Sequence, residues 1–227
     1  MLLILTASCA RFKTQICEAC QLIEKDGDTA LEVIKNLSPA ELQLKDSEGK
    51  TPFYWSVVSG AKEVRNVLVE KISRETLLSE PAHLTLIQDC AGMPSCQPIN
   101  LSVLFAMGFR VGAQSVKNAI VSAGECSLPK MDLLLGMKAS VRSRAADGSN
   151  LLHAIVTRGA EGRPMAPRAC LVKAITRLKR YAPALMKERN RAGQTPLQFA
   201  QALANTPERW GTNITKSSIE VLVKALR

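Results

Sequence analysis

The chain is poor in aromatic side chains, which make up 4% of its 227 residues, with 2 Trp, 2 Tyr and 5 Phe. Its core must be filled by Leu, Val, Ile, Ala and Met, which favours close-packed helices over an aromatic-rich β sandwich. Few rings remain for stacking nucleic-acid bases, so nucleic acid is disfavoured as a partner. Histidine is scarcer still. His83 and His153 are the only two, and neither stands near a Ser or Asp pattern that would pair a nucleophile with a base. G-x-G-x-x-G, P-loop and H-E-x-x-H motifs are missing and the carboxylates are scattered, so neither catalysis, a cofactor nor a metal is expected. No apolar run approaches the ~20 residues that cross a bilayer, so no membrane span is expected. The opening "MLLILTASC" lacks a basic n-region and its apolar run is short. Residues 1–15 are therefore read as an N-terminal segment or cap, at a start cut from inside a larger protein, and not as a secretory signal. Acidic residues are also in deficit. Twenty Asp and Glu against 30 Lys and Arg leave a net charge of +10, which points to an acidic partner.

The seven cysteines are Cys9, Cys17, Cys20, Cys90, Cys96, Cys126 and Cys170. Their odd number and irregular spacing suggest no disulfide framework, so free thiols in a reducing, cytoplasmic compartment are expected. Cys17-Glu18-Ala19-Cys20 has the C-x-x-C form. A redox site would need it at a helix start after a strand, and zinc would need a second ligand pair. Cys90 and Cys96 are the remote candidates for that pair, at poor spacing, so the cysteines are read as structural. The sequons at Asn36, Asn100 and Asn213 are read as chance.

What the chain does have is a recurring phrase. "DSEGKTPFYWSVVSG" (46–60) sets a turn before Thr51, a helix-capping residue, and Pro52, which suits the first helical position. "NRAGQTPLQFA" (190–200) nearly repeats it, and "DGSNLLHAI" (147–155) is a worn copy. Each is followed by a helical stretch. Residues 46–71, 131–159 and 190–204 resemble units of the ankyrin repeat family, in which T-P-L-H-x-A opens an inner helix and an outer helix follows. Phe53 takes the Leu position, Ser56 the small one, Gly60 breaks the inner helix, and Val64, Val67 and Leu68 face inward. Leu152 and His153 supply the "LH". The resemblance gives that His the task of tying neighbouring turns. Asn150 and Leu151 replace Thr and Pro, which predicts a weaker cap there. Gln198 stands in the His position beside Thr195, Pro196, Leu197 and Ala200.

Fainter units follow at 16–37, 83–114 and 116–136, with Ile16, Leu84 and Val116 at the Leu position. The steps between units run from about 31 to 45 residues, around a family period of about 33. The longest step contains an insertion near 160–168. The resemblance implies an all-α ankyrin-repeat solenoid of about five to six stacked helix pairs, over units near 16–45, 46–80, 81–114, 115–146, 147–189 and 190–227. One helix pair cannot bury its apolar face alone, so neighbours stack and the ends need caps. The last helix, "KSSIEVLVKALR" (216–227), carries Ile219, Leu222, Val223 and Leu226 at helical spacing and can close the stack.

The resemblance also implies a protein-recognition module, monomeric alone, with partner contacts at the turn tips and inner helices. By register these include Lys50, Tyr54, Trp55, Arg142, Arg144, Arg189 and Arg191. Tyr54 and Trp55 read either as core filler or as binding anchors. A second charge feature is independent of the repeat. Between 163 and 191 lie nine Lys and Arg against Glu188 alone. Residues 168–182 form an amphipathic helix with Leu171, Val172, Ile175 and Leu178 on one side and Lys173, Arg177 and Arg180 on the other. That stripe reads as a solvated face, as a docking patch for an acidic protein, or as a calmodulin- or nucleic-acid-binding regulatory element. The irregular repeats also resemble the targeting parts of bacterial arginine ADP-riboxanase effectors. That resemblance implies a partner among host caspases, a host-cytoplasmic location, and catalysis in residues outside this chain.

Overall fold

The computed structural model describes residues 20, 22–23, 26–83, 85–121, 126–142, 144–160, 168–206 and 216–227. Residues 1–15, Ile16, Cys17, Ala19, Leu84, Arg163, Asn213 and most of the expected insertion lie outside that set. Among the described residues the secondary structure is helical, with no strand. The α-helices are α1 (Gly27–Asn36), α2 (Pro52–Val58), α3 (Lys62–Lys71), α4 (Arg74–Ser79), α5 (Leu86–Gly92) and α6 (Pro98–Met107). They continue with α7 (Ala113–Val121), α8 (Leu128–Gly136), α9 (Leu151–Ala160), α10 (Arg168–Tyr181), α11 (Pro196–Ala204) and α12 (Lys216–Leu226). The chain falls into two compact units. One holds the residues up to Cys90 with Ser95–Arg110, the other Ala91–Pro94 with Val111–Arg227.

In the first unit α2 starts where the sequence placed it. Thr51 accepts from the Tyr54 N–H and Pro52 opens the helix. Gly60 ends it at φ 79°, a backbone angle that suits glycine. The inward face of α3 is Val64, Leu68 and also Arg65, while Val67 is only half-buried. The exchange has a polar cause. Asn100 on α6 receives Arg65 Nη1 at 2.6 Å and sends its own amide to the Val57 carbonyl at 3.1 Å. Asn100 is itself 3% exposed, so its sequon is sealed inside the packing. Lys71 reaches the C-terminal carbonyls of α1, at 3.3 Å from Ile34 O and 2.9 Å from Leu37 O, where a cation offsets the negative helix end. Phe53 stacks on Phe109 with ring centroids 6.2 Å apart.

In the second unit α9, α10, α11 and α12 pack on one another. The buried residues of α10 are Leu171, Ala174, Ile175 and Leu178, and Val172 is half-buried. Ile219, Leu222, Val223 and Leu226 of α12 are buried as the spacing predicted, while Lys224 and Arg227 stay exposed. Gly159 lets α9 and α12 approach closely. A β-carbon there would sit 2.3 Å from Leu222 Cδ1.

The cysteines depart from expectation. Cys90 is bonded to Cys96 and Cys126 to Cys170, with Cα atoms 5.1 and 6.1 Å apart, inside the usual disulfide range. Cys20 is free, and burial pushes its thiol pKa up. Helix packing, which spacing does not report, brings the pairs together. Persistent disulfides belong to oxidising surroundings, so the expectation of free thiols falls, and with it the ground for a cytoplasmic location. Among the described residues no helix is long and apolar enough to cross a membrane.

Candidate functional site

Three turns share one geometry. In each, a backbone N–H reaches the carbonyl four residues on, and a glycine N–H reaches back to the first residue. The pairs are Asp46 N to Lys50 O (2.8 Å), Ala145 N to Ser149 O (2.8 Å) and Asn190 N to Gln194 O (3.0 Å). Gly49, Gly148 and Gly193 hold φ of 72°, 77° and 76°, which is why glycine recurs there. The polar clamp is placed differently each time. Asp46 Oδ1 takes the N–H of Glu48 and Lys50, and Asn190 Oδ1 takes that of Gln194. In the middle turn the first residue is Ala145, and Asp147 takes over by accepting the Ser149 N–H at 2.9 Å. Those bonds hold the Asp147 carboxyl below the usual carboxylate range.

The helix that follows each turn is capped. Thr195 and Gln198 form a reciprocal capping box, so Gln198 has a task in the His position. At α9 the expected weak cap is absent. Asn150 Oδ1 accepts from Leu152 N (3.0 Å) and His153 N (3.2 Å), while its amide donates to Leu185 O (2.8 Å) and Glu188 Oε2 (3.0 Å). One buried side chain thus caps its own helix and holds the loop before the next turn. His153 Nε2–H donates to Gln194 O at 3.0 Å, the tie between turns that the resemblance implied. In the first unit His83 Nδ1–H donates to Leu77 O (2.9 Å), and its Nε2 accepts the Thr51 hydroxyl at 2.7 Å. Burial pulls both imidazole pKa values below the ordinary 6.5.

The expected contact residues separate into engaged and open ones. Tyr54 is 2% exposed and its hydroxyl donates to Asp89 Oδ2 at 3.0 Å. Burial first, and then the Asp89 carboxylate, raise its phenol pKa. Its ring is core filler. Trp55 is half-buried and tied to Asp46 Oδ2 at 2.6 Å. Lys50 lies over the Tyr54 ring, 4.0 Å from its centroid, and 3.5 Å from Asp89. On α10, Lys173 and Arg180 are exposed, and Arg177 pairs with Asp132 at 2.7 Å.

Arg142, Arg144, Arg189 and Arg191, all in the second unit, are exposed at the turn tips. Arg144 bonds Gly148 O (3.0 Å) and pairs with Glu188 (3.2 Å), and the Arg191 N–H donates to Asp147 O at 2.8 Å. The structure therefore puts Arg191 within the 190–194 turn and Arg144 and Arg189 just before the two turns, which are joined through the Arg191 N–H, while Arg142 precedes the 145–149 turn and bonds Ser140 Oγ through its own N–H at 3.2 Å. A cavity of about 500 Å³ opens between α7, the 145–149 turn and α9. Lys117 and Arg158 line it, two cations that the turn-tip register passed over because they stand on helices. Their helices could be read from the sequence, but their meeting around one space could not.

No protein-family model and no curated protein matches the chain. The ankyrin repeat domain of Bcl-3, whose crystal structure is described as that of "a unique member of the IkappaB protein family", superposes at a TM-score of 0.52. The match covers 90% of this chain and 80% of that one at 19% identity. Three turn-and-capped-helix units in one register, an all-helical described chain and that superposition together give the protein the ankyrin-repeat fold.

Proposed function

We propose that the chain is a protein-recognition module that holds an acidic stretch of a partner protein on the turn tips and inner-helix face of its second unit. One observation carries the reading. Arg142, Arg144, Arg189 and Arg191 are exposed in and beside two turns that are joined by the Arg191 N–H to Asp147 O bond, so the backbone that carries them is held and little of its freedom is lost on binding. Charge of one sign on a fixed surface steers an oppositely charged partner and sets its register. A targeting role within a larger effector acting on host caspases would use the same face, and loss of caspase binding in the same tip variants would be its test.

The test is binding of fluorescent poly-L-glutamate, followed by anisotropy at two salt concentrations. The double reversal Arg142→Glu/Arg191→Glu is expected to weaken binding at least about tenfold, while Lys173→Glu/Arg180→Glu on α10 changes it less than about twofold. The opposite pattern would transfer the binding to α10 and overturn the proposal. A steep salt dependence with duplex DNA, lost in the α10 variant, would mark the nucleic-acid alternative.

A further inference from the structure

Within the second unit, the cavity of about 500 Å³ has a mixed lining. Its volume falls within the range of small-ligand clefts. Small apolar side chains, Ala145, Ala146 and Ala154 among them, leave the space open, and Val121 adds an aliphatic wall. Two cations, one carboxylate and two hydroxyls make up the polar lining. Lys117 is half-buried and, among the described residues, makes no ion pair. Arg158 is 7% exposed, so its charge acts where water screens poorly. The single lining carboxylate, Asp147, is turned into its own loop, accepting the Ser149 N–H at 2.9 Å and hydroxyl at 2.8 Å. Thr157 is likewise engaged, its hydroxyl donating to His153 O at 3.1 Å. The side chain in this cavity left to pair with an anion is thus Lys117, and the Ser149 N–H and hydroxyl are already used.

We infer that this cavity receives a glutamyl side chain together with an adjacent aliphatic residue from the acidic segment, with the carboxylate against Lys117 and the aliphatic group against Val121 and the alanines. This rests on the reading of the tips as the surface for an acidic segment, and adds to it the residue class that anchors the segment. The tips attract by net charge. The cavity selects, because a neutral amide of the same shape would enter without an ionic partner, and a lone acidic residue without an aliphatic neighbour would leave the apolar wall wet.

The probe is acetyl-Glu-Leu-amide, titrated into the ¹⁵N-labelled full chain and followed by amide shifts, with acetyl-Gln-Leu-amide as its neutral twin. The glutamyl probe should shift amides in 145–149 and 154–158, and the glutaminyl twin should bind at least about tenfold more weakly. Lys117→Met, which keeps the aliphatic stem, should remove the difference between the two. Ala154→Leu, which fills the cavity with a helix-compatible residue, should abolish both sets of shifts. Equal binding of the two probes, or shifts confined to the tips, overturns the inference. Poly-L-glutamate separates the two levels. If the tip reversals weaken it and neither Lys117→Met nor Ala154→Leu does, the cavity inference fails and the tip reading stands. If the tip reversals leave it unchanged, the tip reading fails.

Discussion

Replacing Asn150 gives the sharpest test of how the second unit is held. Its side chain is 1% exposed and makes bonds in two directions, to the first turn of α9 and to the loop at Leu185 and Glu188. Asn150→Ala removes a helix cap, at about 1 kcal/mol. It also strips the Leu185 carbonyl, whose residue is 2% exposed, of its donor, at roughly 1–3 kcal/mol. The sum is roughly 2–4 kcal/mol. Asn150→Thr, which restores the family's usual cap, should recover only the first part and remain roughly 1–3 kcal/mol below the parent. Asn150→Asp keeps the cap too but sets a carboxylate against Glu188 and the Leu185 carbonyl, so it should fall below the Thr variant at pH 7 and gain on it as pH drops towards ~4.5. Urea denaturation of the full chain, read by far-UV circular dichroism, gives all three values from the shift in midpoint at constant slope. A Thr variant as stable as the parent would refute the reasoning, because it would mean that the bonds to Leu185 and Glu188 contribute nothing.

Two further outcomes follow from the same structure. Reducing the chain should lower stability, most through Cys126–Cys170, which closes a loop across a separation of 44 residues, worth about 4 kcal/mol in the chain-entropy account. Urea melts with and without dithiothreitol, with a thiol count, read it, and an unchanged midpoint after full reduction would contradict it. Stability should also fall as pH drops through the His range. Both imidazoles have folded pKa values below 6.5, so their contribution is whole above the unfolded pKa and is lost as pH falls from there through the folded values. Replacing His83 and His153 by Gln should flatten that part of the profile, and a slope that survives both changes would assign it to other groups.

Much of the fold was legible because the repeat writes its turns in residues with little conformational choice. Glycine at 49, 148 and 193 meets a positive φ each time, and Thr51 and Thr195 cap as their neighbours required. The cap at Asn150 was misread because Asn caps a helix at least as well as Thr, and its further bonds to Leu185 and Glu188 lie more than thirty residues away. The disulfides were missed because pairing depends on packing and not on spacing. Of the expected contacts, the tip arginines are exposed, and their order could be taken from register alone. Tyr54 could not be placed that way, because a ring beside a turn points into the core or out of it according to whether a partner such as Asp89 stands within reach. Lys117 and Arg158 belong to helices on either side of the turn, and only the folded chain puts them around one space.

The bond from the Arg191 amide to the Asp147 carbonyl has an evolutionary corollary. Because main-chain atoms fasten one loop to its neighbour, the side chains above that fastening can be exchanged with small loss of stability. Such a surface can drift from one target to another while the scaffold beneath it persists, and sequence likeness to relatives would fade first at the residues that meet the target.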